Sequence, residues 1–100
     1  MFTLTTLGTL RLDKDGSPVT GAAAQRRRLV LLAILAASPR GMSRESLAAL
    51  LWGEHDEERA RHSLEQALYG LKRSLGPDPV QRTSTALILD ATVVRADVAE

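Results

Sequence analysis

From Asp56 to Gly76 the chain reads DEERARHSLEQALYGLKRSLG, and the spacing of its apolar residues decides the fold. Ala60, Leu64, Ala67, Leu68, Leu71 and Leu75 gather into one stripe when successive residues turn by about 100°. Asp56 is placed to cap this helix, and Glu57 and Glu58 favour the positive end of its dipole. Gly76-Pro77 closes it. Gly70 lies inside the helix, where glycine costs about 1 kcal/mol relative to alanine. Opposite the apolar stripe stand Arg59, His62, Gln66, Tyr69 and Arg73, each able to donate a hydrogen bond.

Working towards the N-terminus, Met42-Ser43 opens a short second helix with Ser43 as its cap. Met42 and Leu47 occupy the positions of a hydrophobic staple. Leu47, Leu50 and Leu51 are expected on one face, with Gly53 stopping the helix after Trp52, itself expected in the core. The stretch from Ala22 to Ala37 has helix formers and no Gly or Pro, which predicts a first helix buried in its second half. Ser38-Pro39-Arg40-Gly41 ends it. Earlier still, Phe2, Leu4 and Thr6, then Leu10 and Leu12, alternate with polar residues as strands do. Asp13 to Gly16 is turn-like, and Pro18 to Thr20 can return as a third strand. Beyond the third helix, Val80 to Thr83 and Ala86 to Leu89 form a predicted hairpin around Ser84-Thr85, followed by an apolar stretch at Val93-Val94. The expected class is α+β: an N-terminal antiparallel sheet, three helices and a C-terminal β-hairpin.

A short capped helix, a tight Gly53 to Asp56 connection and a basic third helix follow the order of a helix-turn-helix. In that setting Arg59, His62, Gln66, Tyr69 and Arg73 are base-facing candidates, since Arg and Gln pair bidentately with guanine and adenine edges. Ser63 and Lys72 flank the row as phosphate candidates, with Arg82 and Thr83 near the hairpin tip as a wing. Arg44 reads equally as a phosphate contact or a solvated helix end. The run Arg26-Arg27-Arg28 reads as a solvated shoulder of the first helix before it reads as a phosphate contact. Glu65 has three open partners: a cytosine amino group, Arg61, or the Tyr69 hydroxyl.

Bulk properties bound these expectations. The 100 residues suit one domain, and 44% hydrophobic with 25% charged residues is ordinary for a globular chain. The net charge is +1, yet residues 59–82 carry five basic residues against Glu65 and Asp78, so this segment is +3 and the remainder −2. The longest apolar run, Leu29 to Ala37, is far short of the roughly 20 residues of a membrane span. No membrane partner is expected. The absence of Cys and of a signal-like N-terminus leads to an expected cytoplasmic location.

Three segments, TLGTLRL, QRRRLVLLAILAASPRGMSRESLAALLW and ARHSLEQALYGLKRSLG, resemble the OmpR-type winged helix that opens SARP/BTAD bacterial transcriptional regulators. The resemblance covers nearly the whole chain and lies chiefly in the LLW ending of the second helix and the AR-x-SL-x-x-AL-x-x-LK pattern of the third. It implies a winged helix-turn-helix domain over residues 1–96, with 97–100 starting a linker to a following domain. It also implies that the third helix, Arg59 to Arg73, enters the major groove of double-stranded DNA, and that the wing, Arg82 to Thr85, touches the adjacent minor groove. The Gly53 to Asp56 loop would face RNA polymerase. The hairpin VQRTSTALIL departs from the glycine-rich, tyrosine-bearing wing common in the antibiotic-pathway members.

An enzyme is not expected. His55 with Glu54 and Asp56 resembles a metal cluster only in composition, and His62 finds carboxylates at Glu58 and Glu65 that suit a surface hydrogen bond. No Gly-rich phosphate loop or nucleophile elbow occurs, so no cofactor is expected. The competing expectation is a winged-helix module that binds protein instead of DNA, which the low net charge favours.

Overall fold

A computed structural model describes residues 2–6, 8–20 and 25–96. The expected helix start at 22–24 and the expected linker 97–100 lie outside them. The described residues form an α+β domain of nine elements: β1 (Phe2–Thr5), β2 (Arg11–Lys14), β3 (Ser17–Pro18), α1 (Arg26–Ala36), α2 (Arg44–Trp52), α3 (Glu57–Leu75), β4 (Val80–Arg82), β5 (Leu87–Leu89) and β6 (Val94–Ala96).

The N-terminal sheet has the order β3-β2-β1-β6. It is mixed, not purely antiparallel, because β6 runs parallel to β1 with Phe2 opposite Val94 and Leu4 opposite Ala96. The turn between β2 and β3 is tighter than composition suggests. Asp13 and Lys14 belong to β2, and only Asp15-Gly16 makes the turn, both with positive φ (49° and 89°). Two-residue hairpins favour Asp-Gly for that reason. The third strand is accordingly Ser17–Pro18, one residue ahead of its expected position, while the Val19 amide still donates to Leu12 at 2.8 Å.

Gln25 is extended (φ −60°, ψ 137°), so α1 begins at Arg26. From Leu29 to Ala36 no residue of α1 is exposed, because this helix packs against β1, β5, α2 and α3 together. The loop after it returns through Gly41 (φ 88°), where a Cβ would meet Ile88 Cγ1 at 2.7 Å and the Leu87 carbonyl at 2.8 Å. That close approach lets Met42 and Leu87 exchange two backbone hydrogen bonds of 3.0 and 2.8 Å, which ties the hairpin β4–β5 to the entry of α2.

Ser43 caps α2, its Oγ accepting from the Ser46 amide at 3.1 Å, and Asp56 caps α3, its Oδ1 accepting from the Arg59 amide at 2.8 Å. The buried face of α2 is Leu47, Ala48 and Trp52, with Leu51 half-buried. Leu50 does not share it and is 64% exposed, because its place on the helix turns it away from α3. Gly53 ends α2 in a right-handed conformation (φ −63°), so its freedom at positive φ is not used. At the other helix end it is: Gly76 takes φ 93° and donates to the Lys72 carbonyl at 3.1 Å.

All six residues of the predicted stripe on α3 are buried. They join one core with Leu4 and Leu12 of the sheet, Leu31, Leu32 and Leu35 of α1, and Leu87 of the hairpin. Burying a leucine side chain contributes about 1.5–3 kcal/mol. Leu68→Ala is expected to lower stability by about 2–5 kcal/mol through the lost contacts and the cavity, and Leu50→Ala by no more than about 0.5 kcal/mol. Urea unfolding of both variants measures the difference; equal effects would refute this division of faces.

Candidate functional site

Burial of the stripe leaves the opposite side of α3 in solvent, and Arg59, His62, Gln66, Tyr69 and Arg73 are all exposed. Tyr69 is 61% exposed, and its hydroxyl accepts from Arg73 Nη1 at 3.1 Å one turn later. Arg59, His62, Gln66 and Lys72 make no side-chain hydrogen bond or ion pair with any described residue. Ser63 is half-buried and Lys72 exposed, on the two flanks of the row. The row is therefore brought together as the spacing predicts, and four donors on or beside it are uncommitted.

Of the partners expected for Glu65 within the chain, neither Arg61 nor the Tyr69 hydroxyl is taken. Arg44 Nε, reaching over from the first turn of α2, lies 3.2 Å from Glu65 Oε1, while Arg61 pairs with Glu57 at 3.5 Å. Arg44 thus has a third role besides the two read from sequence: it offsets the acidic residue that would otherwise repel an anion approaching α3. The pair joins residues 21 apart in the chain, which no local spacing rule reaches.

On the hairpin, Arg82 Nη1 lies 2.8 Å from Asp78 Oδ2. The Thr83 hydroxyl donates to the Ala86 carbonyl at 3.1 Å and accepts from the Ala86 amide at 2.9 Å. Both side chains are thus engaged in shaping the hairpin, and the exposed hydroxyls left at its tip are those of Ser84 and Thr85.

The arginine run of α1 divides. Arg27 Nη2 lies 2.8 Å from Glu54 Oε1 in the turn between α2 and α3, and its guanidinium stands 5.9 Å from the centroid of the buried Trp52 ring. Arg28 crosses to the middle of α3, where its guanidinium comes within 2.5 Å of the point a Cβ on Gly70 would occupy. Arg26 alone among the three fits a solvated shoulder. His55 Nε2 is 3.6 Å from the same Glu54 oxygen that Arg27 holds. Among the described residues, no three of His, Asp or Glu are grouped to hold a metal ion. No helix among them is long and apolar enough to cross a membrane.

Compared with known proteins, the chain matches no family model, no curated protein and no solved structure.

The Glu54 carboxyl is held below its ordinary pKa, first by a hydrogen bond from its own backbone amide and then by the Arg27 guanidinium. A depressed folded-state value adds stability above the unfolded-state pKa, and that stability is lost as pH falls through the folded value. In an NMR titration Glu54 should protonate at lower pH than in the unfolded chain, and Arg27→Met should raise its pKa part of the way back. An unchanged Glu54 titration in Arg27→Met would show that the ion pair does not form in solution.

Proposed function

We propose that this chain is a winged helix-turn-helix domain that binds double-stranded DNA sequence-specifically, as the recognition module of a bacterial transcriptional regulator. In this reading α3 lies in the major groove, and the hairpin β4–β5 is the wing on the adjacent backbone or minor groove. One observation carries it: α3 buries a continuous leucine and alanine stripe and turns outward a row of donors, three of which have no side-chain partner among the described residues. Uncommitted Arg and Gln side chains on an exposed helix are suited to base edges, which need donors free to pair. Pairing of Arg44 with Glu65 leaves the same face without an uncompensated carboxylate at its centre.

Several supports come from outside α3. The caps at Ser43 and Asp56 bound a helix-turn-helix, and the Met42 and Leu87 bridge sets the hairpin beside it. The resemblance to SARP/BTAD regulators adds RNA polymerase as a partner at the Gly53 to Asp56 loop, and a following domain of the same protein. A second reading, a winged-helix module that binds protein, is favoured by the net charge of +1 and by the exposed Leu50.

Selection from random duplexes followed by binding measurements separates the two. Affinity for duplex DNA should fall steeply as salt rises, because Lys and Arg displace counterions from phosphates. Gln66→Ala should relax base preference at one position and cost about 1–3 kcal/mol on the preferred site. Lys72→Ala should weaken all duplexes alike and reduce the salt slope by about one. Unchanged affinity and preference in Gln66→Ala would favour the protein-binding reading.

A further inference from the structure

Gly70 is the one residue of α3 that neither fills the core nor offers a side chain to solvent, and helix propensity disfavours it there. The structure supplies its use. A Cβ at this position would lie 2.5–2.6 Å from three atoms of the Arg28 guanidinium, so the missing side chain is the notch in which Arg28 rests. Beside that notch runs a cleft between the start of α1 and the middle of α3. Its polar lining is Gln25, Arg27 and Arg28 from one side and Ser63 and Gln66 from the other, above Trp52.

Two properties of this cleft select an anion. All five polar side chains lining it carry hydrogen-bond donors, and no carboxylate lines it. Arg27, paired with Glu54 at 2.8 Å, and Arg28 both line the cleft, and Arg28 is the one whose guanidinium reaches across to α3 at Gly70. A guanidinium has five N–H donors in a planar fork, so whatever internal contact holds it leaves others for a tetrahedral oxyanion. The position of the cleft selects which anion, for Gln66 belongs both to its wall and to the outward row of α3. A duplex that brings base edges to Gln66 brings its own backbone alongside.

We propose that the cleft between α1 and α3 is a DNA-backbone phosphate site, with Arg28 as its cation and Gly70 as the notch that seats it. The proposal rests on the DNA-binding reading above and adds to it a contact from α1.

The test measures duplex affinity across a range of salt for the unmodified chain, Arg28→Gln, Arg28→Lys and Gly70→Ala, on a selected duplex and on a scrambled one. Losing one phosphate contact should flatten the slope of log affinity against log salt by about 0.9 in Arg28→Gln. Affinity should fall by the same factor on both duplexes, and Arg28→Lys should restore the slope. Gly70→Ala should flatten it as well, because the new methyl group displaces the guanidinium. An Arg28→Gln slope equal to that of the unmodified chain, with or without a fall in affinity, overturns the site and leaves the recognition role of α3 standing. Should Arg28→Gln lose its helical circular dichroism, an unflattened slope in Gly70→Ala overturns the site instead. An unmodified chain that binds no duplex at any salt overturns both.

Discussion

Burial of the α3 stripe is the constraint from which the rest of the structure follows. Leu64, Leu68 and Leu71 are within 1% of complete burial, and Ala60 and Ala67 are buried on the same stripe. A helix has one azimuth per residue, so sealing this stripe against α1, α2 and the hairpin also sets the direction of Arg59, His62, Gln66, Tyr69 and Arg73. The alignment of those side chains needs no interaction of their own. It is inherited from the core, so Arg59, His62 and Gln66 hold their direction without a side-chain partner among the described residues.

Around that helix the charged residues act in two ways. Some fasten elements: Arg27 joins α1 to the turn before α3 through Glu54 and the Trp52 ring, and Arg44 joins α2 to α3 through Glu65. Exposed pairs of this kind are each worth at most about 1 kcal/mol, so their effect is on orientation and local potential more than on stability. Others stay open: Arg59 and Lys72 are exposed and have no side-chain partner among the described residues. A net charge of +1 understates the local balance, because residues 59–82 carry +3 and the remainder of the chain −2.

Local signals carried a long way. The caps at Ser43 and Asp56, the α3 stripe, the hairpin near Ser84-Thr85 and the burial of Trp52 are all properties of residues within one turn or one strand pair of each other. The readings that changed are those in which a distant element intervenes. Asp13 looks like a turn residue until pairing with Thr3 and Pro18 draws it into β2. Leu50 looks like its neighbours Leu47 and Leu51 until the direction of α3 decides which side of α2 is covered. The arginine run looks uniform until Glu54 and Gly70 give two of its members different tasks.

The sequence by itself determined the elements and the outward row on α3, because helical and strand periodicities are written in spacings of two to four residues. Only the tertiary structure decided that β6 lies parallel to β1, that Arg44 answers Glu65, and that Arg28 rests on Gly70. Each of these joins residues separated by 21 or more positions. Their pairing is set by how the helices and sheets pack in space, and periodicity along the chain does not encode it.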